Sequence, residues 1–406
     1  MKILLIHNTY QQPGGEDVVF EQERCLLQQH GHEVVTYSRS NHEIEHFSMF
    51  ERVALVTRII SANDSKNDLR KILEMFQPDL VHAHNTFMMI SPSVYAACGE
   101  AHVPVLQTLQ NYRLLCPAAL LFRDGHVCEE CTAHGLQRSV WHGCYRDSRP
   151  TTAAVAVMLK THRERRTWTD AVTGYVVATE FARQKFIDGG LPAEKIYVKP
   201  NFVDPDPGER IAPGDYALFV GRLSPEKGVS TLLAAWTRLS TSIPLLIAGD
   251  GPLRATLEAE AAKNNLRRVI FRGRLDANET RTAMKQARFL VLPSLWYEGF
   301  PMVMAESLAC GTPVVGSRLG AMQEVITDGR TGVHFSTGDS ADLAEKIEWA
   351  WNHPSELAAM GHEARRDYEA LYTPEVNYRL LMSIYEQAIR SQSEARGDRS
   401  EPIYVA

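Results

Sequence analysis

The sequence lacks several features that would place it in other classes of protein. No run of about 18 apolar residues is present, so we expect no segment that crosses a membrane. The chain enters an apolar stretch at Ile3 without the pattern of a secretion signal. With no such signal, its seven cysteines in 406 residues indicate a reducing compartment, and we expect a cytoplasmic protein.

A surplus of positive charge is also missing. The chain has 43 Lys and Arg against 49 Asp and Glu, a formal net charge of −6. General nucleic-acid binders carry a basic surplus, so we expect no nucleic-acid partner. A G-x-G-x-x-G turn does not follow the first strand, where Gly14-Gly15 stands instead. This argues against a nicotinamide-dependent oxidoreductase.

Strand and helix patterns alternate along the whole chain, which predicts an α/β protein with parallel sheets. A chain of 406 residues exceeds what one core usually holds, so we expect two domains. These are residues 1–205 and 206–375, followed by a terminal helix and a loose tail over 376–406. The best linker candidate is Pro205–Gly208 with Pro213-Gly214. Strands are predicted at Lys2–Ile6, Glu33–Tyr37, Leu80–His82, Val103–Leu109, Val172–Val177, Ala217–Val220, Pro244–Ala248, Val269–Phe271, Phe289–Leu292 and Pro313–Val315.

The segment Glu298–Glu306 joins a predicted strand to a predicted helix. Glu298 lies at the carboxyl edge of the strand, where open α/β sheets bind ligands, and Glu306 lies about a turn into the helix. The free N–H groups of a helix start favour an anion there. Two carboxylates beside an anion site suit a ligand with phosphates at its centre and hydroxyls at both ends. The alternative is that both acids only stabilise the helix dipole.

A second strand-to-helix loop, Gly221–Gly228, carries two cations, Arg222 and Lys227. A diphosphate needs cations and N–H donors at close range, which this loop offers. The alternative is a solvated, charged loop. After the next strand, Gly249 allows a tight turn of the backbone, although this signal is weak by itself.

Together these segments resemble the retaining glycosyltransferases of family 4, which have the GT-B fold. The resemblance implies two Rossmann-like parallel-sheet domains facing a central cleft, with the C-terminal helix crossing back to the N-terminal domain. It implies that the second domain binds a nucleotide-diphosphate sugar, with a UDP-sugar favoured and a GDP-sugar as the alternative, and that the first binds the acceptor. The segments that carry the resemblance are Gly221–Gly228, Gly249–Pro252, Glu298–Glu306 and Gly311–Val315.

The resemblance also implies roles for single residues. Glu306 would hold the ribose hydroxyls of the donor, and Glu298 would contact hydroxyls of the transferred sugar. Arg222 and Lys227 would neutralise the leaving diphosphate, so no divalent metal or other cofactor is expected for catalysis. The backbone of Gly299-Phe300-Pro301 would add N–H donors near the phosphate and sugar.

In the first domain, the family has a Gly-rich loop where Gly15 follows the first strand. That loop closes over the donor phosphate or the acceptor, and a simple strand-to-helix turn is the alternative. The family usually has His where Gln110 stands, and that His bonds to the donor sugar. Gln forms hydrogen bonds but is not a base near neutral pH.

Two interpretations of Gln110 follow. Either this position only binds sugar hydroxyls, which Gln can do as well as His, or the replacement of His by Gln impairs the activity of the chain. We favour the first, because attack on the face that the leaving group occupies lets a phosphate oxygen take the acceptor proton. A non-catalytic protein that binds sugar nucleotides is the alternative function.

Four cysteines cluster in an insertion of about residues 112–150, with the spacing C-x11-C-x2-C-x12-C. Cys116, Cys128, Cys131 and Cys144 suit a tetrahedral structural zinc site. Reduced thiols that pack a loop, or a disulfide in an oxidising compartment, remain open as alternatives.

The segment Thr151–Trp168 combines an apolar run with Lys160, Arg163, Arg165 and Arg166. Such a helix would rest on an anionic membrane surface or receive a lipid diphosphate acceptor, and a solvated helix face is the alternative. The resemblance therefore implies a cytoplasmic, retaining, metal-independent hexosyltransferase, and peripheral contact with the inner face of the cell membrane is the further expectation. The predicted acceptor is a carbohydrate or lipid-linked saccharide in cell-surface polysaccharide assembly.

Overall fold

The computed structural model describes residues 1–11, 14–212 and 214–396, without the side chains of 49–53 and 395–396. Pro213 of the predicted linker and the predicted tail over 397–406 lie outside the described residues. The chain folds into two compact units. The first unit comprises Met1–Ala119, Glu130–Lys199 and Asn377–Ala406, and the second comprises Leu120–Glu129 and Pro200–Val376.

The strands are short and, in the two large sheets, mostly apolar. They are β1 (Lys2–Thr9), β2 (Glu33–Ser40), β3 (Leu80–Asn85), β4 (Val105–Thr108), β5 (Phe122–Arg123), β6 (His126–Val127), β7 (Gly174–Val177), β8 (Ile196–Val198), β9 (Ala217–Val220), β10 (Leu245–Ala248), β11 (Val269–Gly273), β12 (Phe289–Leu292), β13 (Val314–Ser317) and β14 (Gly332–Phe335).

Helices separate most of these strands. In the described part of the chain, none is both long and apolar enough to cross a membrane. They are α1 (Gly15–Gln29), α2 (Met49–Arg58), α3 (Asn63–Phe76), α4 (Val94–Glu100), α5 (Glu130–His134), α6 (Gln137–His142), α7 (Arg149–Glu164), α8 (Glu180–Asp188), α9 (Val229–Trp236), α10 (Arg254–Lys263), α11 (Ala277–Gln286), α12 (Met302–Ala309), α13 (Gly320–Val325), α14 (Ser340–Asn352), α15 (Pro354–Leu371) and α16 (Pro374–Arg396).

Each unit is built on one six-stranded parallel sheet. The order is β2-β1-β3-β4-β7-β8 in the first unit and β11-β10-β9-β12-β13-β14 in the second. The buried apolar strands, such as Ile3–Ile6, fit a sheet covered by helices on both faces. The predicted α/β class with two parallel-sheet domains is confirmed. The sequence did not predict β8, β14 or the two-residue strands β5 and β6.

Strand order reverses once in each sheet. The chain adds strands outward from β1 in one direction and from β3 in the other, and it does the same from β9 and β12. Ligands of open α/β sheets bind at such reversal points, outside the carboxyl ends of the strands. The fold therefore predicts that the ligand-binding residues lie in the loops that follow these four strands.

The last helix, α16, packs into the core of the first unit. Its residues Leu381, Ile384 and Tyr385 are buried in one apolar cluster with Ile3 and Leu5 of β1. The predicted return of the C-terminal helix to the first domain is confirmed. The first unit differs from the predicted domain 1–205 in two places, because residues 120–129 and 200–205 pack with the second unit.

A buried ion pair lies beside this helix. Lys199 Nζ is 3.1 Å from Glu23 Oε2 and 3.0 Å from Asn377 Oδ1, and the three side chains are almost fully enclosed. Burial alone would raise the pKa of the Glu23 carboxyl. The positive charge of Lys199, together with the neighbouring His82 and His84, outweighs burial and holds that pKa well below its usual value.

Removing the Lys199 cation should destabilise the first unit strongly. We expect Lys199→Met to lower the free energy of unfolding by about 3–5 kcal/mol, because the Glu23 carboxylate loses its principal buried partner. The control is Lys160→Met, a change at a side chain that is 73% exposed, which should cost less than about 0.5 kcal/mol. Urea unfolding followed by circular dichroism measures both, and equal losses would contradict the assigned role.

Candidate active site

The candidate site in the second unit is formed by the loops after β9 and β12. These strands are neighbours at the reversal point of the sheet, so their loops start side by side at its carboxyl edge. The loop after β9 carries Arg222 and Lys227 and leads into α9. The loop after β12 carries Glu298 and leads into α12.

An ion pair joins the two loops. Lys227 Nζ lies 2.7 Å from Glu298 Oε1, and the Ser294 hydroxyl donates to the same oxygen at 2.7 Å. Lys227 also lies 5.4 Å from the centroid of the Trp296 ring. Glu298 is only 5% exposed. The structure thus brings together one predicted cation and one predicted acid, and it adds Ser294 and Trp296, which the sequence did not single out.

Arg222 differs from Lys227 in its surroundings. Its side chain is exposed and makes no hydrogen bond or ion pair with any residue in the described ranges. A long cationic side chain without a partner, next to a reversal point, is available to an anionic ligand.

Two glycines allow the backbones at this edge to approach closely. Gly228 has a φ of 68°, and a Cβ there would lie 1.9 Å from the carbonyl oxygen of Pro293. Gly249 has a φ of 148°, and a Cβ there would lie 1.9 Å from the carbonyl oxygen of Gly221. Any side chain at either position would therefore push the loops apart. Gly249 acts here as a packing residue of the predicted donor site.

Glu306 lies in the second turn of α12 and is half-buried. Burial raises the pKa of its carboxyl, and the charge of Arg281 offsets only part of that rise. Among the described residues, its carboxylate forms no hydrogen bond or ion pair with Arg222, Lys227 or Glu298. The two predicted acids therefore have separate surroundings, as expected if they contact different parts of one ligand.

The segment before α12 supplies the backbone of this edge. Pro301 precedes the first helical residue, and the buried Phe300 ring packs against Tyr372 with 5.6 Å between centroids. Proline has no N–H, so the predicted N–H donors of this segment reduce to Gly299 and Phe300. The first N–H groups of α12 add to them, since they lack partners within the helix.

The two predicted site residues of the first unit lie in different parts of the fold. Gly15 is the first residue of α1, and a Cβ there would meet no described atom within 4 Å, so packing does not demand glycine. Gln110 follows β4 and lines a cavity of about 40 Å³ together with His84, Gln107 and Arg113. Both residues follow strands of the first sheet, so both lie on the side of its carboxyl edge.

A polar cluster beside Gln110 was not predicted. Asn111 Nδ2 donates to Glu16 Oε1 at 2.7 Å and lies 3.3 Å from the hydroxyl of Tyr10. Burial raises the pKa of the Glu16 carboxyl and of the Tyr10 hydroxyl. The available signal was that all three residues follow strands at one sheet edge, but only the folded chain shows that they meet.

The predicted zinc ligands are divided between the units. Cys116, Cys131 and Cys144 belong to the first unit and Cys128 to the second. A hydrogen bond between Cys116 and Cys131, together with burial, raises the pKa of the Cys131 thiol. No group of three metal-capable side chains in the described ranges includes these cysteines. The zinc site remains a prediction.

The described residues do contain one other group with metal-ligand character, Glu23, His82 and His84. Lys199 already supplies a cation to Glu23, and both ring nitrogens of His82 are hydrogen-bonded, one of them to Tyr385. Among the described residues, Glu23 Oε1 and both ring nitrogens of His84 are buried and form no hydrogen bond.

The predicted basic helix is present as α7, but it ends at Glu164, so Arg165 and Arg166 follow it. Arg163 donates to the carbonyl oxygen of Leu114 at 2.7 Å, and Arg166 pairs with Asp170 at 2.8 Å. Lys160, Arg163, Arg165 and Arg166 are all exposed. The exposed basic surface agrees with the predicted pattern, although Arg163 and Arg166 also bond to protein atoms.

Two family models match adjacent parts of the chain. The model described as Glycosyltransferase Family 4 matches residues 13–207, and the model described as Glycosyl transferases group 1 matches residues 208–367. The order of the two matches follows the order of the two predicted domains.

Curated relatives align over part of their length. An uncharacterized glycosyltransferase, MJ1178 of Methanocaldococcus jannaschii, is 34% identical over 43% of this chain and 49% of its own. D-rhamnosyltransferase WbpZ of Pseudomonas aeruginosa is 35% identical over 41% and 43%. The phosphatidyl-myo-inositol mannosyltransferase of Mycobacterium leprae is 30% identical over 57% and 63%. The chain thus spans about half the length of the curated relatives it matches.

Solved structures match nearly the whole chain. Sucrose-phosphate synthase from Thermosynechococcus elongatus superposes with a TM-score of 0.72 at 18% identity, covering 96% of this chain and 99% of its own. Anabaena HepE in complex with UDP gives 0.66 at 19% identity, covering 97% and 100%. At such identities the match shows the fold alone. The family matches, the paired parallel sheets and these superpositions agree, and the chain belongs to the family 4 glycosyltransferases with the GT-B fold.

Proposed function

We propose that this chain is a retaining glycosyltransferase that moves a sugar from a nucleotide-diphosphate sugar to an acceptor hydroxyl. The observation that carries the proposal is the Lys227–Glu298 ion pair beside Arg222, which has no partner among the described residues, at the reversal point of the second sheet. A UDP-sugar is favoured over a GDP-sugar, and the UDP bound to HepE supports this choice.

The charges of the second unit suit the departure of a nucleoside diphosphate. Negative charge grows on the phosphate as its bond to the sugar breaks, and Arg222, Lys227 and the start of α12 are placed to stabilise it. These cations take the part that a divalent metal plays in other transferases. Glu298 would then accept hydrogen bonds from hydroxyls of the sugar while its ion pair with Lys227 weakens. Glu306 would accept hydrogen bonds from the ribose hydroxyls.

The chemistry needs no side-chain base. The acceptor oxygen attacks the anomeric carbon on the face that the diphosphate leaves, and its proton passes to a phosphate oxygen. A new glycosidic bond replaces the sugar–phosphate bond, and configuration is retained. Gln110, a neutral amide, is then suited to hold sugar hydroxyls.

The setting we propose is cell-surface polysaccharide assembly on a carbohydrate or lipid-linked acceptor. The O-antigen and phosphatidyl-inositol mannosyltransferases among the relatives support it. Exposed Lys160 and Arg165 on the first unit support peripheral contact with an anionic membrane on its cytoplasmic side. Turnover of candidate donors, followed by release of the nucleoside diphosphate, tests the whole proposal. Donor binding without turnover under any acceptor would favour the non-catalytic alternative.

Arg222 offers the cleanest test of the diphosphate site, because its removal breaks no contact within the described protein. We expect Arg222→Met to lower kcat about 100-fold, the usual loss when one preorganised charge is removed from a transition state. The melting temperature should not change. Arg238→Met is the matched control, since Arg238 is also exposed and follows α9. Similar kcat values for the two variants would exclude Arg222 from the site.

The raised pKa of Glu306 predicts how donor binding depends on pH. The carboxylate must be ionised to accept ribose hydroxyls, so affinity should fall as the pH is lowered through its pKa. Because that pKa is raised, the decline should begin at a higher pH than an exposed Glu would give. Calorimetric titration of UDP-glucose, whose phosphates do not titrate in this range, measures it. Glu306→Gln should bind more weakly and lose the dependence, and an unchanged profile would contradict the assignment.

Variants of Gln110 test whether this residue binds sugar hydroxyls or whether its presence in place of His impairs catalysis. We expect Gln110→His to keep kcat within about tenfold of the native value, or ~1.4 kcal/mol of barrier. Gln110→Ala should raise KM about fivefold, because it removes one hydrogen bond worth about 1 kcal/mol. Steady-state kinetics with the best donor measures both. A gain of several hundredfold in Gln110→His would instead show that the native chain is impaired.

A further inference from the structure

Consecutive residues of the loop between β12 and α12 are each held by a contact with another part of the protein. The Leu295 N–H donates to the Glu226 carbonyl oxygen at 2.8 Å, and the Trp296 ring lies beside Lys227. The Tyr297 hydroxyl donates to Glu129 Oε1 at 2.8 Å. Glu298 then bonds to Lys227 and Ser294. Consecutive residues therefore have different anchors, which is unusual for a loop without secondary structure of its own.

Glu129, the residue that holds Tyr297, comes from a different part of the sequence than the partners of the neighbouring residues. Glu226, Lys227 and Ser294 lie in the same two loops at the sheet edge, whereas Glu129 lies 168 residues before Tyr297. It belongs to Leu120–Glu129, a segment of the cysteine-containing insertion that packs with the second unit, although the chain on both sides belongs to the first.

Glu129 follows a short hairpin and directly precedes α5. Strands β5 and β6 pair Phe122 with Val127, and Asp124-Gly125 form the two-residue turn with φ of 51° and 83°. Asp-Gly with two positive φ angles is the preferred turn for a two-residue hairpin. The Cys128 N–H then donates to the Leu121 carbonyl oxygen at 2.8 Å, which continues the pairing to the residue before Glu129. Glu129 is thus presented from a fixed support.

We propose that Glu129 and Tyr297 are positioning residues that hold the Glu298 carboxylate in place for the sugar of the donor. This rests on the proposed function, since it assigns Glu298 to the sugar. Glu298 directly follows Tyr297, so release of the Tyr297 hydroxyl frees the backbone on one side of the carboxylate. A misplacement of about 1 Å at a reacting centre costs about 100-fold in rate. The insertion thereby acts on the reaction without contributing an atom to it.

Kinetics of Tyr297→Phe tests the proposal, with Tyr216→Phe as the matched control. Tyr216 also lies in the second unit, and its hydroxyl donates to the Ala283 carbonyl oxygen at 2.8 Å. We expect Tyr297→Phe to lower kcat about 10–100-fold while the Kd for UDP stays within about twofold, because Arg222 and Glu306 are not displaced. Tyr216→Phe should leave kcat unchanged. Equal kcat values in the two variants would overturn the proposal.

Variants of Glu129 separate positioning from a general loss of structure. Glu129→Gln keeps an oxygen that accepts from Tyr297, so kcat should stay near native, whereas Glu129→Ala should match Tyr297→Phe. The double variant should lose no more than the larger of the two single losses, since both single variants remove the same Tyr297–Glu129 hydrogen bond. Multiplied losses, or a parallel fall in UDP affinity and melting temperature, would refute the positioning role.

Hydrogen exchange of the free protein gives a reading that needs no donor. Amides of residues 294–300 should exchange faster in Tyr297→Phe and Glu129→Ala than in the native chain, and Tyr216→Phe should not change them. Unchanged exchange would overturn the proposal even if the protein proves active. A native chain that turns over no donor would instead overturn the proposed function, while the exchange result would still decide whether Glu129 holds the loop.

Discussion

The reversal of strand order between β9 and β12 is the constraint on which the candidate site depends. The chain winds away from this point in both directions, so the two loops that start there diverge and leave a crevice at the carboxyl edge of the sheet. The Lys227–Glu298 bond joins these loops. Gly228 brings the first loop against Pro293 of the second, which is why a residue with a side chain is not tolerated there.

The two units use buried charge in different ways. In the first, Glu23 and Lys199 are both enclosed and bind each other, and Asn377 completes the set, so the charges stabilise the protein itself. In the second, Lys227 is partly exposed and Arg222 is exposed without a partner among the described residues. Exposed cations contribute little to stability. This arrangement agrees with the proposed diphosphate site.

The sequence predicted what local pattern and family motifs encode. The strands that frame the site, the loops with Arg222, Lys227 and Glu298, and the return of the last helix are all found in the structure. It could not predict contacts between residues far apart in the chain. Glu129 meets Tyr297 across 168 residues, and Asn111 meets Glu16 across 95. Such pairs depend on how segments pack, which no periodicity records.

The contribution of α16 to the core of the first unit has a consequence for synthesis on the ribosome. The hydrogen bond between Lys199 and Asn377 cannot form until Asn377 is synthesised, 178 residues after Lys199. Leu381 and Tyr385, which complete the apolar core of the first unit, are synthesised later still. At about 5–20 residues per second, that interval lasts roughly 10 to 40 s. The second unit, whose sheet is complete by Phe335, emerges within this interval. The nascent first unit therefore keeps apolar surface exposed while the later unit folds, and it is the part of the chain that a chaperone would be expected to protect.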